Sequence, residues 1–569
     1  MKLIPHELAE SVAQAISAAQ AAGDLPAFEM PEIPIHPPKR AEQGDYAAAV
    51  AMQLAKPAKL NPFHIATQIA NHYHKPDFIG AVEVMHPGFI NFRLDADWVR
   101  AQTETIIAEG EKLAQLDLGV GKRAQVEFVS ANPTGPLTVG RSRGGIIGDT
   151  MARLLEAAGY SVEREYYFNN AGNQMRNLGN SLRLRYLQAL GRLDEFPTDE
   201  TVYQGDYLID FAQELVKEHG DSWAEAEWTK FKDFAEAKMF AWIKETLARI
   251  RISHDVFFNE NSLYESQAVW NVLEELDERG YTYKAVARAD ASPEELEKIG
   301  GKGEAIWFRS TLFGDVEDRV IVKSSGEPTY TLPDIAYHVN KLDRGFDLAI
   351  NVLGSDHATQ YKVVQYGLKA LGYDPSKIHV ILNQLVRTVR DGKEVRMSTR
   401  RGVYDTLDDL IDQTSADAVR YMLLARSADS QLNFDLDLAV KQSNENPVYY
   451  IQYAYVRCAG IFREAAVRGV SDAGADLSLL GEAELSFLRK IVELGEVIEA
   501  AVRSYEPHRI AFYALELANA FHPVFDNVRV LHTEVPPEVA KARLRFYRAA
   551  QVAFKRSLNL MGMSAPEVM

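Results

Sequence analysis

The chain reads as an α/β protein built on a doubly wound, Rossmann-type parallel sheet, flanked by an N-terminal α+β module and a C-terminal α-helical bundle. Three observations predict this. AQVEFVSAN, a Gly/Pro-rich loop, IIGDTMARLLEAAGY and SVEREYYFN form a strand, loop, helix and strand in succession, which is a βαβ unit. Strand and helix patterns then alternate as far as about residue 400. From Thr406 onward the strand signal stops and amphipathic helical patterns take over. The length of 569 residues fits several domains rather than one core.

Residues 1–112 mix helical periodicity (HELAESVAQAISAAQAAG) with a Pro-rich piece and the strand-like VEVMHPGFINFRL, hence an α+β module. Residues 113–405 hold the βαβ unit, whose helix is closed by Gly159. They also hold the strand candidates EAIWFRS, DRVIVKS, FDLAINVLG and KIHVILNQLV, with the helix-like DIAYHVNKLD and YKVVQYGLKALGY between them. Those strands are expected to extend the same sheet. Residues 180–250 are helical by period and read as an insertion or cover. Residues 406–445 read as connecting stem helices, and 446–569 as the bundle.

Composition narrows the function. With 47% hydrophobic and 25% charged residues, the chain is neither disordered nor membrane-embedded. No apolar run reaches the eighteen or so residues of a membrane span, and the N-terminus lacks a secretory core. The single cysteine, Cys458, excludes a disulfide framework or a Cys-rich zinc site, so a reducing cytoplasm is the expected location. The net charge of -18 argues by itself against a nucleic-acid partner. The charge is uneven, however. Residues 191–250 carry fourteen acidic and seven basic residues, whereas 381–405 and 531–569 each carry six basic and three acidic.

The loop Pro133-Thr134-Gly135-Pro136-Leu137-Thr138-Val139-Gly140-Arg141 follows a strand and opens a helix, where backbone N–H groups can receive phosphate. It matches neither a P-loop nor a GxGxxG fingerprint and on its own decides little. Its surroundings decide more. VEFVSANPTGPLTVGRSRGGIIGDTMARLLEAAGYSVEREYYFNNAGNQM resembles the nucleotide-binding region of class I arginyl-tRNA synthetases. YQGDYL (Tyr203–Leu208), the run from Asp318 containing TYTLPDIAYHVNK, GSDHATQY (Gly354–Tyr361) and NPVYYIQYAYVR (Asn446–Arg457) resemble that family too, in its order. The resemblance covers essentially the whole chain.

The resemblance implies an ATP-dependent arginine–tRNA ligase, forming arginyl-adenylate and diphosphate and passing arginine to the 3′ end of tRNA(Arg), with AMP released. Exchange of diphosphate into ATP is expected to require tRNA. Glu127 and Asn132 match positions that hold the amino acid's backbone groups, while Tyr330, Asp334 and Gln360 match the pocket for its guanidinium. A carboxylate gives a guanidinium a charge-assisted, bidentate partner; Asp334 could equally be a helix N-cap. Pro133, Thr134, Gly135, Gly140, Gly354, Asp356, His357 and Met397 fall at ATP-contacting positions. No partner at metal-ligand spacing makes His357 a zinc site. Mg²⁺ is expected to arrive with ATP, with no tightly bound cofactor.

Two segments depart from the family. The HIGH signature, usually HVGH there, is Thr138-Val139-Gly140-Arg141, without either histidine. KMSK is Arg396-Met397-Ser398-Thr399, followed by Arg400 and Arg401. Thr138, Gly140, Arg141, Arg396, Ser398 and Thr399 are the expected catalytic set, with altered donors serving the same charge neutralisation. The rival readings are a catalytically impaired tRNA-binding homologue and an adenylating enzyme that uses no RNA. In the bundle, Tyr450, Tyr453, Arg457, Arg545 and Arg548 are the tRNA candidates, through base stacking and phosphate contact. A monomer is expected.

Overall fold

The computed structural model describes residues 3–38, 40–199, 201–288, 303–395 and 406–569. At its centre lie five parallel strands in the order Ile378–Asn383, Leu348–Gly354, Arg123–Glu127, Ser161–Phe168, Val256–Asn259. The first strand in sequence sits in the middle. The chain winds outward to one edge, then crosses back and fills the other. The point where the winding reverses lies between Arg123–Glu127 and Leu348–Gly354, the place where doubly wound sheets bind ligands beyond the strands' carboxyl ends. Ala124, Val126, Ile350 and Val352 are buried, as expected of a sheet covered on both faces. Gln125, Glu127, Glu165 and Asn351 are buried too, although polar.

The first half of the helix Val139–Ala157 packs closely on the carboxyl ends of the strands because glycines remove its side chains there. A Cβ on Gly148 would lie 2.4 Å from the Phe128 Cβ, and one on Gly144 would lie 3.2 Å from the Asn383 amide nitrogen. Gly159, with φ +94°, sits just past its C-cap and reverses the chain into the next strand.

Three expectations about strands are corrected. EAIWFRS and DRVIVKS do not join the parallel sheet. Their strands, Ala305–Phe308 and Arg319–Val322, pair antiparallel with each other, and Thr282–Ala285 completes a separate three-stranded sheet. The connection between them holds only the 3₁₀ turn Ser310–Phe313, too short for the crossover that parallel pairing needs. The far edge of the central sheet, Val256–Asn259, is four half-buried residues with no alternation to betray it. After Thr406 one strand remains: Leu432–Asp435 pairs in parallel with Val386–Arg390.

Between Ser161–Phe168 and Val256–Asn259, the helices Gly172–Ala189, Tyr207–His219 and Trp228–Arg249 form a cover with its own core around Met175, Leu182, Tyr186, Phe231 and Met239. Asp408 on the stem anchors it, accepting from Trp242 Nε1 (2.9 Å), Thr246 Oγ1 (2.7 Å) and Arg249 (2.5 Å). The C-terminal bundle comprises Pro447–Val467, Glu482–Val492, Leu494–Ser504, His508–Asn527 and Pro537–Leu560, closed on Phe487, Phe521, Phe546 and Phe554. The N-terminal module, a four-stranded antiparallel sheet with helices, packs on this bundle. Tyr46 donates to Glu496 at 2.6 Å, and Arg100 donates to the Leu480 carbonyl. Among the described residues, no helix is long and apolar enough to cross a membrane.

Candidate active site

Beyond Glu127 the chain turns sharply through Val129 (φ +69°) and Ser130 (φ +43°), conformations that non-glycine residues seldom adopt. Side chains hold this bend. Ser130 Oγ donates to Glu127 Oε1 (3.0 Å) and accepts from the Tyr167 amide (3.2 Å), and the Tyr166 hydroxyl donates to the Ala131 carbonyl (2.7 Å). Asn132 then bridges to the next crossover, accepting from the Asn169 amide at 2.9 Å and donating to Gln174 at 2.8 Å. Pro133 is buried, and the Thr134 carbonyl takes the Tyr207 hydroxyl at 2.7 Å, which fixes the path past Gly135.

The loop delivers Thr138 as the N-cap of Val139–Ala157. Its side chain makes no capping bond, Gly140 and Arg141 are exposed, and a Cβ on Gly140 would meet nothing within 4 Å. Thr138 bridges to Thr406, and the Arg141 and Ser142 amides turn back to the Thr138 carbonyl, so the exposed Gly140 backbone and the positive end of the helix dipole are what this helix start offers a phosphate. On the other side of the point where the winding reverses, Leu348–Gly354 runs into the turn Ser355–His357, where Asp356 and His357 are exposed, and then into the helix Ala358–Ala370 carrying Gln360.

Asp334 faces this helix from the first turn of Thr331–Asp343. Tyr330, not Asp334, is that helix's N-cap, so the capping alternative for Asp334 is set aside. Gln360 Nε2 donates to Asp334 Oδ2 at 2.5 Å. Burial raises the Asp334 carboxyl to about 7 against that hydrogen bond, with Glu260 and Glu127 adding like-charge repulsion. Glu260, also raised by burial, accepts from the Tyr167 hydroxyl at 2.7 Å. Glu127 is paired with the fully buried Lys341, Nζ to Oε2 at 2.6 Å. Three carboxylates thus share the pocket with one lysine, an imbalance that a cationic ligand would relieve. Tyr330 is 82% exposed at the rim. Glu260, Lys341, His338 and Asn351 were not anticipated. Asp334, His338 and Lys341 are spaced i, i+4, i+7 on one helix face, a signal that was available. Glu260 follows the unforeseen edge strand. Arg396, Met397, Ser398 and Thr399 lie outside the described residues.

Comparison with known proteins places this geometry. Residues 102–436 match the model for "tRNA synthetases class I (R), catalytic domain", 6–94 the "Arginyl tRNA synthetase N terminal domain" and 451–569 the "DALR anticodon binding domain". The chain belongs to the class I arginyl-tRNA synthetase family. Similar relatives are the arginine–tRNA ligases of Chlorobaculum tepidum (42% identical over 95% of this chain and 96% of that one) and Carboxydothermus hydrogenoformans (42%, covering 100% and 99%). A solved structure described as a putative arginyl-tRNA synthetase from Campylobacter jejuni aligns with a TM-score of 0.75 at 30% identity, over 84% of this chain and 100% of that one. The Thermus thermophilus enzyme shares the fold at 19% identity and a TM-score of 0.74, over 100% of both chains.

In this synthetase's C-terminal bundle, Tyr450 and Tyr453 gather at His522, with ring centroids 4.2 and 6.2 Å away. Arg457 lies over the Tyr453 and Phe525 rings and pairs with Asp526 at 3.1 Å. Tyr453, Arg457, Phe525 and Arg529 line an open cleft of about 480 Å³. Arg545 and Arg548 are placed differently from a free phosphate track. Arg545 forms a bidentate pair with Glu104 of the N-terminal module (2.7 and 2.5 Å), and both arginines contact Asp472. Lys555 pairs with Glu111, and Arg556 donates to the Leu113 carbonyl. Arg545, Lys555 and Arg556 thus tie the last helix to the N-terminal module, whereas Arg548 pairs within the bundle. Arg545→Ala is expected to loosen the N-terminal module, seen as faster amide exchange in the helix Ala96–Glu109, while leaving the salt dependence of tRNA binding unchanged.

Proposed function

We propose that the chain is an ATP-dependent arginine–tRNA ligase that activates L-arginine as arginyl-adenylate and transfers it to the 3′ end of tRNA(Arg). The observation that carries the assignment is the cluster of carboxylates Asp334, Glu127 and Glu260 beside the switch point of the sheet, from which the helix Val139–Ala157 starts. Asp334 and Gln360 receive the guanidinium, and exposed Tyr330 folds over it. Glu127 and Asn132 hold the α-ammonium and carboxylate. With the substrate fixed at both ends, its carboxylate oxygen attacks the α-phosphorus of ATP, and diphosphate leaves with the cleaved bond's electrons. A ribose hydroxyl of the tRNA terminus then attacks the activated carbonyl and AMP departs.

Thr138 and the Gly140 N–H donate to the phosphates, and Arg141 supplies permanent charge where the family usually has histidine. Arg396, Met397, Ser398 and Thr399 serve the phosphates and the adenosine from the second signature. Pro133, Thr134, Gly135, Gly354, Asp356 and His357 surround the nucleotide. Mg²⁺ would arrive with ATP and supply charge neutralisation at the phosphates. Tyr450, Tyr453 and Arg457 receive anticodon bases in the bundle cleft, and the enzyme works as a monomer in the cytoplasm.

The assignment is tested by exchange of labelled diphosphate into ATP, expected only with arginine and tRNA together. Exchange with another amino acid, or none under any condition, would overturn it. A pH series adds a second check. A cation needs Asp334 ionised, and the carboxyl is held at about 7 in the free enzyme. The kcat/KM for arginine is therefore expected to rise from pH 6 to pH 8 with an apparent pKa near 7.

A further inference from the structure

Three buried polar side chains link the Glu127 carboxylate to the Asp334 main-chain carbonyl through a hydrogen-bond chain whose direction is fixed. Lys341 Nζ donates to Glu127 Oε2 at 2.6 Å and to Asn351 Oδ1 at 2.5 Å. An ammonium has no acceptor, so Asn351 must present its oxygen to Lys341 and its NH₂ to His338. That NH₂ lies 2.6 Å from His338 Nε2, which must therefore carry the lone pair. The ring proton is then on Nδ1, 2.7 Å from the Asp334 main-chain carbonyl, and donates to it. Lys341, Asn351, Glu127 and His338 are all buried, so water does not compete. Burial and Lys341 hold the imidazole neutral, down to about 3, in agreement with this tautomer.

The carbonyl at the end of this chain belongs to the first turn of the helix, where Leu332 and Pro333 are buried and only the N-cap Tyr330 is exposed. Tyr330 makes no side-chain capping bond, so the turn lacks that restraint. We propose that His338 is a positioning residue for amino-acid selection: its Nδ1–H pins the Asp334 carbonyl, so that the first turn, and with it the Asp334 carboxylate, is set relative to Glu127 across the two strands at the switch point. This rests on the reading of Asp334 as the group that receives the substrate's cation. The same helix is tied to the neighbouring strand by a separate buried bond, Tyr337 hydroxyl to Glu165, which serves as an internal control.

The experiment measures KM for arginine and for ATP in the full-length enzyme with tRNA. His338→Asn keeps an amide donor near the Nδ1 position, whereas His338→Gln places its carboxamide near Nε2, where its oxygen accepts from Asn351, and leaves no donor at Nδ1. The Gln variant is expected to raise the arginine KM about tenfold, the worth of one hydrogen bond to placement, with the ATP KM unchanged. The Asn variant is expected to restore most of the loss. Tyr337→Phe lowers the urea midpoint without raising the arginine KM. If His338→Gln does not fold, Asn351→Ser, which frees the ring to move its proton to Nε2, carries the same expectation. Equal arginine KM values for the Asn and Gln variants, or a parallel rise in both KM values, would overturn the proposal. Asp334→Asn separates the two levels: an unchanged arginine KM there removes the pocket reading itself, whereas a large effect there with a silent His338→Gln removes only the positioning role.

Discussion

Asp334→Asn is expected to lower kcat/KM for arginine by about 10²- to 10³-fold, the loss that follows when a buried charge pair of about 3–5 kcal/mol is broken on one side. The change is isosteric, Gln360 keeps an acceptor at 2.5 Å, and the helix Thr331–Asp343 is not capped by this residue. Folding should therefore survive, and the KM for ATP should stay within about twofold, because no phosphate contact is touched. The variant should also lose the rise in kcat/KM between pH 6 and 8, since the group held at about 7 is gone. Steady-state kinetics at three pH values checks all of this. An unchanged arginine KM would move the guanidinium pocket elsewhere.

Arg420→Met is expected to destabilise the protein by about 3–5 kcal/mol, because it breaks a buried pair and strips two carbonyls at once. Arg420 is fully buried on the stem helix Ala416–Leu424. Its guanidinium donates to the Met561 and Ile250 carbonyls at 2.6 Å each and pairs with Asp149 on the helix that follows the phosphate loop. One side chain thus joins the catalytic domain, the cover and the end of the last helix. Packing leaves no slack, since a Cβ on Gly562 would lie 2.3 Å from the Arg420 guanidinium carbon. Methionine fills the volume but satisfies none of the three acceptors, and Asp149 keeps only Arg153 at 2.8 Å and the more distant Arg164. Urea unfolding measures the loss. A midpoint like that of the parent protein would show that the three-way junction contributes little.

The unit from Arg123 to Phe168 was legible because a strand, a glycine loop and a glycine-capped helix each carry local signals, and their order fixes a parallel sheet. The pocket was legible in part for the same reason. Asp334 and Gln360 lie in segments whose residue order resembles a known family, and the fold brings them to 2.5 Å. Glu260 was not legible, because it follows a four-residue edge strand without alternation. The antiparallel sheet around Ala305–Phe308 was misassigned because strand pattern says nothing of pairing direction, which connection length decides. Arg545 shows the limit for charge. A cationic helix face looks the same whether it meets RNA or Glu104, 441 residues away in sequence. The same applies to the net charge of -18, which sums acidic cover, domain contacts and pocket into a number that points away from RNA.

Thr138 and Arg141 are proposed to support activation of arginine for transfer in place of the usual histidines. The most direct measurement is charging of tRNA by the purified full-length chain with each labelled amino acid in turn, alongside Arg141→Ala. Arginine alone is expected to be attached to tRNA, and Arg141→Ala to lower kcat by about 10²-fold, as for loss of one charge-stabilising donor, with the arginine KM preserved. Binding of tRNA without charging, or full activity in Arg141→Ala, would contradict this role.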